Sequence, residues 1–248
     1  MLLPWEFLYG GLVVFGASII RGYSGFGFAM IAMVTLSFVF PPAQVTPVIL
    51  CLDVLASSWL LKKALKGVDW KGLRLILAGA VVTLPLGALA LVHTPVVALK
   101  MFISAAIIVL CLGLIMRPGG VKYSCSTATF GTGLLSGFLT GVAAIGGPPV
   151  ILFYYSSSRS VAVSRASMIA FFLFVDFLAL VSCLWFGLLN RQTVSLSAGM
   201  LLPMGLGLWI GNGMFGRLVD EDKFRKRVLI LLLLLACLSL ATNVWLSI

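Results

Sequence analysis

The sequence predicts an all-α polytopic membrane protein, and three observations predict it. Of its 248 residues, 61% are apolar and only 10% are charged, whereas soluble domains are about 45–50% apolar. The apolar residues form runs that approach the roughly 20 helical residues needed to cross a bilayer. Glycine- and proline-rich breaks recur about 120 residues apart, as in transporters that contain two internal repeats.

The first repeat, residues 1–120, is predicted to open with a broken apolar stretch and to continue with three spans. Residues 5–20 and 25–40 are apolar, and Pro41-Pro42 ends the second arm because proline interrupts a helix. No small-residue cleavage site follows the first run, so we expect it to be retained and not removed as a signal peptide. The spans are predicted over residues 45–61, 75–92 and 97–116.

The second repeat, residues 121–248, follows the same order after the polar stretch 117–127. Residues 128–144 are small and apolar, and Gly146-Gly147-Pro148-Pro149 breaks this run. The arm that follows, residues 150–155, is too short to cross the hydrocarbon core. Spans are then predicted over residues 166–189, 194–214 and 228–247.

The short arm indicates that each repeat opens with a re-entrant or short helical hairpin, followed by three transmembrane helices. This gives 8–10 membrane segments, and the odd number of crossings in each repeat inverts the second relative to the first. The basic residues agree, because 14 of the 17 lysines and arginines then lie on one side, which the positive-inside rule makes cytoplasmic. Both termini are predicted on the outer side of the cell (inner) membrane.

Several function classes are excluded. The net charge of +10 comes from short loops between apolar runs, so it indicates membrane orientation and not nucleic-acid binding. The five cysteines form no C-x-x-C pair and there is one histidine, so we expect no metal site. Gly25-Phe26-Gly27 lacks the strand and helix of a dinucleotide site, and no ATP-binding motif is present. No cofactor is predicted.

The first break, Arg21 to Phe28, is the candidate substrate site. An arginine at membrane depth costs about 2.5–3.5 kcal/mol on insertion scales, so a partner or a substrate should compensate it. Helices that begin near Gly25 and Pro149 would aim their partly positive ends at the midplane, which suits a small anion. Alternatively, the glycines only allow helices to pack closely. The candidate anion-binding residues are Arg21, Tyr23, Ser24, Gly25, Phe26, Gly27, Gly146, Gly147, Pro148, Pro149 and Arg165, the last expected beside the second break.

Asp53 and Asp176 are the only acidic residues inside the predicted spans. A carboxyl group in the membrane can carry a proton or pair with a cation, so both are candidates for coupling to H⁺ or Na⁺. Alternatively, they are structural partners for Arg21 or for hydroxyl groups on neighbouring helices.

A second function class comes from Gly22-Tyr23-Ser24-Gly25, which has the G-x-S-G spelling of rhomboid intramembrane proteases. A serine nucleophile needs a base within hydrogen-bond reach. The only histidine, His93, lies at the end of a span, and a protease would leave the internal repeat unexplained.

The order of these motifs resembles the TauE/SafE sulfite exporter family, also called toluenesulfonate uptake permeases, over nearly the whole chain. The resemblance rests on a glycine-rich motif and a following helix start in each half, and on Val68-Asp69-Trp70 in the first half. The sequence departs from the family pattern at Phe26, Pro47 and Pro148-Pro149, so we expect a differently shaped pocket.

The resemblance implies a secondary transporter and not an enzyme. Its substrate would be a small sulfur-containing anion such as an organosulfonate or sulfite, moved across the lipid bilayer by an ion gradient. A carrier of another small organic anion, such as a carboxylate, is the alternative within transport. A homodimer is an assembly that the resemblance allows.

Overall fold

The computed structural model describes residues 4–116, 126–155, 159–215 and 221–245, and these residues form α-helices and no strand. The predicted all-α class is therefore confirmed. Most of the boundary predicted at 117–127 lies outside the described residues. The helices are α1 (Pro4–Ser24), α2 (Phe28–Leu36), α3 (Pro42–Ala64), α4 (Trp70–His93), α5 (Val96–Met116), α6 (Ser126–Ala143), α7 (Gly147–Tyr155), α8 (Val161–Trp185), α9 (Arg191–Gly199), α10 (Leu201–Met214) and α11 (Glu221–Trp245).

Among the described residues, five helices are long and apolar enough to cross a membrane, and a sixth span results if α9 and α10 count as one. The five are α1, α3, α4, α5 and α8. Helices α2 and α7 have nine residues each, or about 13 Å at 1.5 Å per residue, so neither crosses the bilayer alone. The protein is a multi-pass membrane protein, and the count of 8–10 segments stays a prediction.

Matching elements of the two halves lie at a constant distance along the chain. Helix α7 begins 119 residues after α2, and α8 begins 119 residues after α3. Packing follows the same relation: α1 packs against α10 as α6 packs against α4, while α3 packs against α8 and α5 against α11. We therefore propose residues 1–120 and 121–248 as the two repeats. Their inversion stays a prediction.

The predicted span 194–214 is not one straight helix. Helices α9 and α10 meet at an angle of 43°. Pro203 cannot donate a hydrogen bond to the carbonyl of Gly199, which removes one bond of the helical ladder where the bend occurs. Pro47 and Pro85 lie inside helices that continue past them.

Helices α4 and α6 approach closely through glycines. A Cβ atom at Gly133 or Gly137 would collide with the backbone of Ile76 or Ala80, and one at Gly87 would collide with Phe138. Small residues commonly permit such close contact between membrane helices. Close packing of α4 and α6 therefore requires glycine at these three positions, which lie away from the two breaks.

Replacing Gly137 by alanine should destabilise the protein by about 1–3 kcal/mol, because the added methyl group overpacks the contact between α4 and α6. Thermal unfolding of the purified protein in lipid nanodiscs measures this. Gly131→Ala is the matched control in the same helix, since nothing lies within 4 Å of its added Cβ atom. Equal melting temperatures for the two variants would contradict the assignment.

Candidate functional site

The end of α1 places Arg21 in the protein interior, where its side chain is 1% exposed. Its Nη2 atom lies 2.8 Å from Oδ1 of Asp53 and donates to Oγ of Ser57 at 2.6 Å. Its Nη1 atom donates to the carbonyl oxygen of Gly25 at 3.0 Å. Asp53 and Ser57 are four residues apart on α3, so they share one face of that helix. Helix α3 therefore supplies both a counter-charge and a hydroxyl group.

Helix α8 closes the other side of Arg21. The ring centroid of Phe172 lies 4.5 Å from the guanidinium carbon, a distance suited to a cation–π contact. One helical turn later, Asp176 is buried, close enough to Asp53 and Arg21 to interact with both electrostatically. Arg21, Asp53 and Asp176, here called the central cluster, thus bring together three ionisable side chains from three helices.

The central cluster is built from matching positions of the two repeats. Asp53 on α3 is 119 residues from Phe172 on α8, and Ser57 is 119 residues from Asp176. This is the same interval that relates the helix starts. The two helices therefore present equivalent pairs of positions to Arg21. On α3 the acidic residue occupies the first position of the pair, and on α8 it occupies the second.

The charges in the central cluster allow it to bind a proton. Two carboxylates that lie near each other repel strongly when they are shielded from water. One shared proton relieves this repulsion and leaves a single negative charge, which the guanidinium of Arg21 balances. The cluster can therefore be neutral with one proton bound.

The first break is held by its own backbone and by Ser24. The Ser24 hydroxyl lies 2.7 Å from the carbonyl oxygen of Ile20 and 2.8 Å from that of Phe26. Gly25 and Gly27 have φ angles of +80° and +94°, the left-handed region in which glycine is favoured. Tyr23 and Phe26 are buried. The break is therefore a tight turn that directs the start of α2.

The hydroxyl of Ser24 bonds within its own turn, as does the ring of His93, which lies 2.9 Å from the carbonyl oxygen of Leu89 at the exposed end of α4. These contacts place the two side chains in separate local hydrogen bonds. They give the protease hypothesis no support.

The second break repeats the turn with a different residue. Ala144, with φ of +56°, is the only non-glycine residue in the described ranges with a positive φ, and it lies 119 residues after Gly25. The carbonyl of Gly146 accepts a hydrogen bond from Ser136, and a Cβ atom there would collide with Thr140 and Ser136. Matching the two breaks by their glycines pairs Gly25 with Gly146, which is two residues off this register, because residue type and backbone conformation do not coincide here.

The two breaks converge on one small cavity of about 10 Å³, here called the central cavity. Residues of both repeats therefore lie beside Arg21 and Asp53. It is the candidate functional site. The lining residues are Arg21, Gly27, Ala29, Met30, Asp53, Ala144, Gly147 and Phe172.

Both short helices begin at the central cavity, but their ends differ chemically. Gly27 precedes α2 and Gly147 begins α7, so each partly positive helix end lies at the cavity wall. Pro148 and Pro149 have no N–H group, so α7 offers fewer donors than α2. Both prolines instead line a separate groove with residues of α5 and α6.

Arg165 lies beside the first break and not the second, which corrects the expected position. Its Nη2 atom donates to the carbonyl oxygen of Gly22 at 2.6 Å and to Oδ1 of Asn212 at 3.1 Å. Helix α8 begins at Val161, five residues before the predicted start of the span at 166. Arg165 is therefore in the second turn of that helix, where it faces α1 and α10.

The sequence analysis missed four residues of this region: Ser57, Phe172, Ala144 and Asn212. Ser57 and Phe172 each lie four residues from an intramembrane acid, so helical spacing could have found them. Ala144 gave no signal, because alanine rarely adopts a positive φ. Asn212 became recognisable only once α10 was known to pack against α1.

Comparison with known proteins adds independent information. The family model described as "Sulfite exporter TauE/SafE" matches residues 10–239. A protein of Cupriavidus necator described as "Probable sulfite/organosulfonate exporter TauE" is 25% identical over 211 residues, which are 82% of this chain and 81% of that protein. No solved structure matches the chain.

Proposed function

Because the chain belongs to the TauE/SafE sulfite exporter family, we propose that it moves a small sulfur-containing anion, such as an organosulfonate or sulfite, across the cytoplasmic membrane by secondary transport. Family members are transporters, so the chain is not an enzyme. The description of the Cupriavidus relative supports the substrate class. The observation that carries the proposed mechanism is the buried contact of Arg21 with Asp53, with Asp176 buried nearby.

A row of cavities along α3 supports a transport path. The central cavity touches Asp53. A cavity of about 40 Å³ touches Val45 and Val48 nearer the start of α3, and one of about 400 Å³ touches Leu60 and Ala64 near its end. At 1.5 Å per residue, Val48 and Leu60 are about 18 Å apart along the helix. We place the path of the anion along this face of α3.

Arg21 can hold either Asp53 or, once the central cavity widens beyond its present volume of about 10 Å³, the anion. Its planar guanidinium carries parallel N–H groups that fit two oxygens of a sulfonate, as they fit a carboxylate. In the present conformation, Nη2 is held by Asp53 and Ser57. Protonation of Asp53 would remove its charge and release the guanidinium for the anion. Proton binding and anion binding therefore favour each other, and the two ions move in the same direction.

A proton suits this cluster better than Na⁺. The guanidinium of Arg21 lies 2.8 Å from Asp53, so a second cation on that carboxylate would be repelled at short range. A proton shared by Asp53 and Asp176 occupies no additional volume and cancels one negative charge. We therefore assign the coupling role to these two acids and to H⁺.

The orientation follows from the basic loops and is tested by labelling. In a cysteine-free background, single cysteines at positions 65 and 222 should react with a membrane-impermeant maleimide only after cell lysis. A cysteine at position 192 should react in intact cells. Leu65 and Gln192 are exposed, so their labelling reports the side of the membrane. Labelling of 65 and 192 from the same side would contradict the inverted arrangement, on which the outer placement of both termini depends.

Ligand-dependent thermal stability of the purified protein tests the substrate class. A ligand at 100 times its Kd stabilises the folded state by about 2.7 kcal/mol. We expect methanesulfonate and sulfite to raise the melting temperature more than acetate or propionate, because a third oxygen can accept from the start of α2. If only carboxylates raise the melting temperature, the substrate is a carboxylate and not a sulfonate or sulfite.

A further inference from the structure

The central cavity is smaller than the anion that it has to hold during transport. It offers about 10 Å³, which is about the space that one water molecule needs. Sulfite and every sulfonate are larger than water. At least one residue of the cavity wall must therefore move before an anion can reach Arg21.

Few of the lining side chains can make this room. Two glycines and two alanines of the wall have no side chain that could rotate out of the way. Arg21 and Asp53 are held against each other at 2.8 Å, and Arg21 is the group that the anion has to meet. Met30 and Phe172 are the remaining lining residues, and both have buried side chains that can change rotamer.

Phe172 occupies the space that the anion needs. Its ring centroid lies 4.5 Å from the guanidinium carbon of Arg21, so the ring covers one face of that group. A Cβ atom added at Gly147 would lie 3.1 Å from Cζ of the same ring. One aromatic ring therefore bridges the arginine of the first repeat and the start of α7 in the second.

Met30 and Phe172 differ in how they limit the shape of a ligand. Methionine is unbranched and flexible, so it adapts to ligands of different shapes. A phenyl ring is rigid, and Phe172 packs edge-on against the buried ring of Phe171, with the two centroids 5.6 Å apart. Rotation of Phe172 opens the volume of one ring beside Arg21, and this volume sets an upper limit on what can bind there.

We propose that Phe172 is a specificity-determining residue that limits the size of the transported anion. Its ring turns away from Arg21 as the anion arrives, and the anion takes the volume that the ring vacates. A sulfonate with a short alkyl group is about as large as the ring and fits, whereas an aromatic sulfonate carries a ring in addition to its sulfonate group and does not. The inference rests on the proposed function, because it names the residue that selects among anions of that class.

Competition between sulfonates of different size tests this role. Uptake of labelled methanesulfonate into proteoliposomes is measured in the presence of unlabelled methanesulfonate, propanesulfonate or benzenesulfonate. For the wild type, we expect benzenesulfonate to compete far more weakly than methanesulfonate. Phe172→Leu should strengthen competition by benzenesulfonate relative to methanesulfonate by about tenfold or more, since a single methylene group in an apolar pocket already changes discrimination by about 10–200-fold.

Two further variants separate a change of specificity from a folding defect. Phe171→Leu is the matched control, because it makes the same change at the neighbouring buried position, which is outside the described lining of the central cavity. It should keep the wild-type order of competitors. Phe172→Met conserves the buried volume more closely than leucine and should relax the size limit in the same direction, so it provides the test if Phe172→Leu does not fold.

The outcomes distinguish this role from the proposed function. An unchanged order of competitors in the Phe172 variants, or an equal change in Phe171→Leu, would overturn the role of Phe172 and leave transport through the central cluster intact. Equal competition by benzenesulfonate and methanesulfonate in the wild type would do the same. If the wild type transports neither sulfite nor any of these sulfonates, the proposed function fails, and the role of Phe172 fails with it.

Discussion

Replacing Arg21 by glutamine should abolish sulfonate transport and destabilise the protein. The substitution leaves Asp53 and Asp176 buried without the cation that pairs with Asp53. Removal of one partner of a buried ion pair typically costs about 3–5 kcal/mol. Loss of hydrogen bonds to a charged ligand should weaken binding by roughly ten- to hundredfold. Thermal unfolding and sulfonate uptake into proteoliposomes measure the two effects.

Two companion variants separate binding from folding. Arg21→Lys keeps the charge but loses the planar fork, so it should bind sulfonate more weakly than the wild type while retaining most of the stability. The double variant Arg21→Gln with Asp53→Asn removes both charges of the pair, and it should recover part of the lost stability without recovering transport. If Arg21→Gln takes up sulfonate at the rate of the wild type, Arg21 has only a structural role. Arg165 then becomes the leading candidate for binding the anion.

Replacing Asp53 or Asp176 by asparagine should uncouple transport from the proton gradient. Asparagine resembles a protonated carboxyl group in size but cannot release a proton. We expect at least one of Asp53→Asn and Asp176→Asn to lose gradient-driven accumulation of sulfonate. The same variant should still exchange labelled for unlabelled sulfonate, because Arg21 remains available for the anion. Parallel assays of accumulation and exchange in proteoliposomes distinguish these steps.

Asp69→Asn is the matched control for the acidic variants. Asp69 pairs with Arg159 at 2.5 Å, away from the central cluster, and its side chain caps α4. Asparagine also caps helices well, so this variant should accumulate sulfonate like the wild type. Normal accumulation by both cluster variants would require another coupling route, such as Na⁺ held by backbone carbonyls.

The helix breaks were predictable because glycine and proline act locally. Gly25, Gly27 and Gly147 all lie at the turns that the sequence indicated. The constant 119-residue interval was harder to obtain, since Ala144 adopts the conformation of Gly25 without sharing its residue type. The bend between α9 and α10 was missed although Pro203 marks it. A proline does not always break a helix, since Pro47 and Pro85 lie inside helices that continue past them. Pro203 alone therefore did not predict the bend.

The contents of the central cluster were predictable, but its contacts were not. Burial in apolar spans identified Arg21, Asp53 and Asp176 as ionisable groups that need partners. Which groups pair depends on how α1, α3 and α8 pack, and periodicity alone does not determine that packing. The position of Arg165 depended on the true start of α8, because this residue lies inside the helix and not before it.

Coupled proton flux through the wild-type protein tests the central claim most directly. Proteoliposomes that contain a trapped pH-sensitive dye, with the membrane voltage clamped, should receive an outside pulse of methanesulfonate. This anion stays ionised and so carries no proton by itself. We expect the lumen to acidify as methanesulfonate enters, at a fixed ratio of protons to anions, and this acidification to disappear in at least one of Asp53→Asn and Asp176→Asn. Entry of methanesulfonate through the wild-type protein without any proton movement would contradict coupling at the central cluster.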